Sequence, residues 1–276
     1  MSPVESDEED LTRKQRREQA RAERKAAEEA AVSDAAKRKR LTQLGGAGAV
    51  VVVAIVVILI VTSGGGSKNV AAPTSPAAKT EVAAVSAQLA GTTQKGNVLG
   101  SPAAPVTLQY FGDLECPICR DFTLGALPSI IQKWVKTGKL KIEYRSLETA
   151  TREPETFRTQ QLAALAAGKQ NKAWDYIELF YHEQGEEGSG YVTESYLQGL
   201  ASQVPGLNVA KWTSDRGDQA LMAQITADTT EANNNNFNGT PSFLIGKTGG
   251  ASKKYEYSSL TDPSGFNEAI EKVLKG

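Results

Sequence analysis

The chain has 276 residues, 40% of them apolar and 23% charged, with 31 Lys and Arg against 32 Asp and Glu. A formal net charge of −1 demands no nucleic-acid or acidic partner, since those partners require a basic excess. The cysteines number two, too few for a disulfide-stapled framework, and Cys116 and Cys119 can pair only with each other.

Residues 1–44 are charge-dense and Ala-rich, with almost no large apolar side chain. They read as a solvated cytoplasmic tail, disordered or a frayed helix, because no apolar face is present to pack. The tail closes on Lys37-Arg38-Lys39-Arg40. Residues 45–62 follow, with an unbroken apolar run from Ala47 to Val61. Leu41 to Thr62 gives 22 residues without a charge, and a spanning helix needs about 20. The segment therefore reads as a single transmembrane anchor. The basic cluster before it keeps the N-terminus cytoplasmic and exports the rest. A cleaved signal peptide is the alternative, but its basic region is short, whereas about 40 residues precede this run. Residues 63–95, rich in Gly, Ser, Ala, Pro and Thr, read as a flexible linker with a reach on the order of 30 Å.

A folded domain is expected over 96–276. Pro105–Phe111 is β-rich and reads as a strand. Arg120–Thr137 carries Phe122, Leu127, Ile130, Ile131 and Trp134 at helical spacing, with a kink predicted at Pro128 and a stop at Gly138. Lys139–Leu147 alternates as a strand does. A helical block at about 152–236 follows, with helices over Thr156–Lys169, Ala173–Gln184, Thr193–Gln203 and Ser214–Asn233. Asn233–Asn236 reads as a helix end and loop. Strands are predicted at Ser242–Ile245 and Lys254–Ser258. A last helix spans Pro263–Lys275, with Asp262 as N-cap. Without the helical block the order is βαβ followed by ββα, an α/β arrangement.

The chemistry sits in Cys116-Pro117-Ile118-Cys119, between a strand and a helix. Unpaired N–H groups and the positive end of the dipole at a helix start favour a thiolate. Such sites lower a cysteine pKa from about 8.5 to about 3.5–7.5. Cys116 then reads as the exposed nucleophile and Cys119, one turn in, as the shielded resolving thiol. Pro117 suits the first turn because it has no N–H to lose. A zinc half-site would need two more ligands, and one histidine is all that remains, so no metal is expected. A structural disulfide across a two-residue loop constrains little of the unfolded chain. Two inert buried thiols remain the plain alternative, against which the strand–helix junction speaks.

Leu99-Gly100-Ser101-Pro102, Pro105-Val106-Thr107 and Phe111-Gly112-Asp113-Leu114-Glu115-Cys116-Pro117-Ile118-Cys119-Arg120-Asp121-Phe122 together resemble the opening of DsbA-like thioredoxin domains. There a strand leads into F-x-D-x-x-C-P-x-C-x-x-F. Gly239-Thr240-Pro241-Ser242-Phe243 is similar to the family's G-T-P-x-F, more than 120 residues later. The resemblance covers about 96–276 and implies a thioredoxin-like fold with an inserted helical block. It implies a cis bond before Pro241, facing the cysteines, and a Thr240 backbone that binds a substrate strand. It also implies a protein thiol–disulfide oxidoreductase without cofactor, acting on exported cysteine-containing proteins. An integral-membrane redox partner of the DsbB or vitamin K epoxide reductase type is implied as well.

Two positions depart from the pattern. Tyr110 stands six residues before Cys116, where many thioredoxin-like proteins bury an acid, and a phenol with a pKa near about 10 accepts protons poorly. Glu115 is expected to point to solvent. Ile118 stands where the strongest oxidants of the family have His, which implies a less stabilised thiolate and a milder oxidant. A reductase or isomerase using the same residues is the first alternative, and a tethered non-catalytic binding module the second. His182 reads as a surface residue beside an exposed Gln184-Gly185, and Trp174 and Tyr181 as core of the helical block.

Overall fold

The computed structural model describes residues 74–276. The tail 1–44, the anchor 45–62 and residues 63–73 of the expected linker lie outside the described residues. Among the described residues no helix is long and apolar enough to cross a membrane.

Residues 76–89, expected as spacer, form helix α1 (Pro76–Leu89). Ser75 caps it, its hydroxyl accepting the Ala78 N–H at 3.1 Å, and Pro76 opens the first turn. Ala78, Val85 and Leu89 are buried, and Val82 packs against the core. Their spacing of four, three and four residues is one helical stripe. The alanines between them dilute the apolar signal, which is why the sequence reads as linker.

A short hairpin follows, β1 (Gln94–Lys95) and β2 (Val98–Leu99). β3 (Val106–Gly112) leads into α2 (Pro117–Leu124), α3 (Ala126–Ile130) and a π-helical turn at Ile131–Val135. The predicted kink at Pro128 is instead a break at Gly125. Ala126 N–H there donates to Leu260 O, at 3.0 Å. A Cβ on Gly125 would lie 2.5 Å from Asp121 O and 2.8 Å from Thr261 Cα. Pro128 falls in the first turn of α3, where its missing N–H costs nothing.

β4 (Leu140–Ser146) alternates buried and half-buried. Five helices then separate it from the next strand. They are α4 (Pro154–Gly168), α5 (Ala173–His182), α6 (Glu194–Gln203), α7 (Val209–Asp215) and α8 (Gln219–Asn234). The single helix predicted from Ser214 divides here: Asn208 caps α7 and Asp218 caps α8. β5 (Ser242–Lys247), β6 (Ser252–Tyr255) and α9 (Ser264–Lys275) complete the domain. Asp262 accepts the Ser264 N–H at 2.9 Å.

The sheet order is β1-β2-β4-β3-β5-β6. β3 and β4 run parallel, and every other pairing is antiparallel. β3 lies at the centre and is buried on both faces, as a strand covered by helices must be. Tyr110 lies opposite Tyr144 on one side and Phe243 on the other. Its ring meets Phe122 of α2 edge-on at 5.0 Å. Phe111, on the opposite face, packs with Leu147, Ala232, Phe237 and Leu244. Each such aromatic contributes roughly 1.5–3 kcal/mol by burial, so the strand carrying the cysteine loop is firmly held.

Candidate active site

β3 ends at Gly112, and the chain turns through Asp113, Leu114 and Glu115 into α2. Cys116 is the N-cap of α2, with extended backbone, and its Sγ accepts the Cys119 N–H at 3.4 Å. Its thiol also donates to the carbonyl oxygen of Thr240, at 3.3 Å. The Thr240–Pro241 bond is cis. Two segments 124 residues apart thus meet at one sulfur. Both cysteines are free thiols.

The two thiols differ sharply. The Cys116 thiol is lowered to about 7, first by the hydrogen bond from Cys119, against desolvation, with Thr240 and the helix-start N–H groups adding to it. Cys119 is fully buried, and burial pushes its thiol well up, the Cys116 sulfur adding to the rise. Cys116 was expected to be exposed, yet it is only 4% exposed, because the Thr240–Pro241 loop lies against it. Ile118 is 45% exposed, and Tyr257 is another exposed large apolar side chain among the described residues. Tyr257 packs edge-on to Phe243 at 5.8 Å.

Tyr110 lies beneath the pair. Its hydroxyl donates to Tyr181 OH at 3.1 Å and lies 3.5 Å from the Cys119 carbonyl oxygen. Tyr181 OH donates in turn to Asp113 O at 3.1 Å. Burial, followed by the neighbouring Cys119, raises the Tyr110 phenol well above its ordinary value. Glu115, expected in solvent, is buried, and desolvation raises its carboxyl. Its position follows from the turn, in which Glu115 N–H donates to Asp113 Oδ1 at 3.1 Å.

The role of Asp113 is visible only in the fold, since its place in the motif says nothing of its partners. Its buried carboxylate accepts the N–H groups of Thr149, Ala150 and Thr151 at 3.0, 2.9 and 2.9 Å. It also accepts the Thr151 hydroxyl at 2.6 Å and the Gln160 amide at 3.3 Å. One carboxylate therefore ties the cysteine loop to the start of the helical block. Thr149 then meets Thr240, hydroxyl to hydroxyl, at 2.5 Å. The helical block supplies two further supports. Tyr181 O accepts Arg120 Nε–H at 3.0 Å, and Gln184, read as exposed, is buried and donates to Leu114 O at 2.7 Å and Cys116 O at 3.1 Å. His182 faces α1 rather than open solvent, with Nδ1 2.5 Å from Glu81 Oε2. Among the described residues no cluster of His, Cys, Asp and Glu could hold a metal ion.

The profile of the family described as Thioredoxin matches residues 92–271. The disulfide bond formation protein D of Bacillus subtilis (strain 168) is 25% identical over 184 residues, covering 65% of this chain and 77% of that protein. The crystal structure of oxidised BdbD from Bacillus subtilis superposes with a TM-score of 0.56 at 24% identity, over 67% of this chain and 98% of the other. That of Wolbachia pipientis alpha-DsbA1 superposes with a TM-score of 0.52 at 20% identity, over 65% and 90%.

Proposed function

The chain belongs to the DsbA-like thioredoxin-fold family of protein thiol–disulfide oxidoreductases, and on that premise we propose that it oxidises cysteine pairs in exported proteins from a membrane anchor. The observation that carries the reading is the asymmetry of the pair: a Cys116 thiol lowered to about 7 beside a buried, strongly raised Cys119.

In the oxidised enzyme Cys116 and Cys119 are joined. A substrate thiolate attacks Cys116 Sγ, forming a mixed disulfide and expelling Cys119, which takes up a proton in its buried site. A second substrate thiolate attacks the substrate sulfur of that mixed disulfide and expels Cys116. The substrate loses two electrons and two protons, and the enzyme ends as the dithiol. A sulfur with a lowered pKa leaves faster, so the last step is favoured by Cys116 at about 7. The raised pKa of Cys119 slows its return attack on the mixed disulfide, which favours completion by the substrate. Tyr110 offers no carboxylate to deprotonate it.

The substrate strand is placed by Thr240, whose backbone adjoins the sulfur, and Ile118 and Tyr257 offer apolar surface beside it. Pro117 opens α2 without an N–H to satisfy. The remaining parts of the reading rest on sequence. Residues 45–62 anchor the chain with its N-terminus in the cytoplasm, and the catalytic domain works outside. An integral-membrane partner of the DsbB or vitamin K epoxide reductase type restores the disulfide. Refolding of a reduced, cysteine-containing substrate by the full chain tests the proposal. Cys116→Ser should lose all turnover, and retained turnover would refute the assignment. A second reading, electron flow toward the substrate, uses the same two cysteines, and a lowered thiol at Cys116 serves either direction, as the thioredoxin cysteine at about 7 illustrates. The reduction potential separates the two.

A further inference from the structure

The loop that presents Cys116 is held by few bonds of its own. Cys116 N–H donates to Asp113 O at 3.1 Å, and Arg120 N–H donates to Cys116 O at 3.2 Å. Glu115 N–H adds a bond to Asp113 Oδ1, and Thr240 O meets the sulfur; further support comes from the helical block. Gln184 Nε2 donates both to Leu114 O at 2.7 Å and to Cys116 O at 3.1 Å. One amide group thus bridges the two carbonyls on either side of Glu115 and fixes the peptide plane between Cys116 and Pro117.

Gln184 is itself fixed from both sides. Upstream, Tyr181 accepts Arg120 through its carbonyl and donates to Asp113 O through its hydroxyl. Between them, Glu183 O accepts Tyr196 OH at 3.2 Å. Downstream, Gly185 lies so close to Tyr191 that a Cβ would fall 2.5 Å from the ring. The amide therefore has little freedom to follow a loop that drifts.

We infer that Gln184 is a positioning residue of the exchange site, holding the Cys116 and Leu114 carbonyls so that Cys116 Sγ stays on the Cys119 N–H. The inference rests on the proposed exchange chemistry and assigns it a support from outside the thioredoxin elements. The physical reason is the charge that appears on Cys116 Sγ when the second substrate thiolate expels it from the mixed disulfide. A preorganised donor is worth most where charge develops, because it needs no rearrangement at that moment. Without the amide, the Leu114 carbonyl would have to find a new donor, and the Cys116 carbonyl would be held by Arg120 N–H alone. The Leu114 carbonyl would do so by turning, and the Cys116–Pro117 plane would lose one of its two restraints.

The test uses the full chain. Gln184→Met keeps the length and removes the donor, and Gln184→Glu replaces the amide N–H group by oxygen. The pH dependence of Cys116 alkylation by iodoacetamide is read for each, together with the glutathione equilibrium of the pair. The wild-type half-point is expected at about 7. In Gln184→Met it should rise by roughly half a unit, the scale of a lost helix-terminus interaction, and the pair should become less oxidising. Gln184→Glu should shift both in the same direction, and it carries the test if the methionine variant does not fold. A half-point and an equilibrium both unchanged in a folded variant would overturn the inference, even if that variant melts earlier. Wild-type turnover in the refolding assay is measured alongside. Its absence would sink the proposed function and leave the alkylation comparison readable.

Discussion

The carbonyl oxygen of Thr240 lies 3.3 Å from the sulfur of Cys116, so the backbone that would pair with a substrate strand adjoins the atom that would bond to its cysteine. On the proposed mechanism binding and exchange share one place, and a mixed disulfide there would be held by Thr240 while Cys119 lies buried one turn behind. Cys119→Ser should therefore accumulate a covalent complex between Cys116 and substrate, seen as a reducible band on a non-reducing gel. Absence of any such complex, with the variant folded, would contradict the roles given to the two cysteines.

Ile118 is 45% exposed between the cysteines, so a polar replacement is accommodated without repacking the core. Ile118→His brings N–H groups and partial positive charge to the sulfur. That favours the thiolate and should lower the Cys116 half-point by about one unit, with the pair becoming more oxidising. Thiolate absorbance against pH measures it, and an unmoved titration would show that the residue between the cysteines does not set the thiolate.

Asp113 holds the start of the helical block through three backbone N–H groups, one hydroxyl and one amide. Each buried donor left without an acceptor costs about 1–3 kcal/mol. Asp113→Ala should lower stability by about 3 kcal/mol or more, water reaching some of the donors. Urea unfolding of the folded domain measures this. A loss below about 1 kcal/mol would mean that the loop re-forms its bonds elsewhere.

Glu178 is buried under α1, where Gln88 Nε2 donates to its Oε1 at 2.9 Å and Oε2 has no hydrogen-bond partner among the described residues. Desolvation raises its carboxyl from 4.5 to about 8. Between those values the folded chain binds a proton that the unfolded chain has lost, so stability falls as pH rises from 4.5 to about 8 and is level above. Glu178→Gln carries no such penalty. Its thermal midpoint should exceed the wild type's by an amount that grows across that window and then stays constant. A difference independent of pH would contradict a neutral buried acid.

Much of the site was readable because its chemistry is local. Cys116 and Cys119 at a strand–helix junction fix the helix-start geometry, and Thr240-Pro241 marks the loop opposite. The rest depends on contacts distant in sequence. The Asp113 shell reaches residues 149–160, and Gln184 stands 68 positions from Cys116. A polar residue after a helix looks exposed unless the partner carbonyls are known. The break at Gly125 was hidden because Pro128 gives a stronger local signal, while the close approach of Leu260 and Thr261 leaves none. Helix α1 is not legible in the sequence because alanine favours helix without marking which face is buried.

The equilibrium reduction potential of the Cys116–Cys119 pair against glutathione bears most directly on the central claim. With Cys116 at about 7, Ile118 between the cysteines and Tyr110 in place of an acid, the pair should act as a moderate oxidant. Its potential should lie between those of thioredoxin, about −270 mV, and DsbA, about −120 mV. A value at or below about −270 mV would mark a reductant and contradict the proposed direction, and one at or above about −120 mV would contradict the thiolate assigned to Cys116.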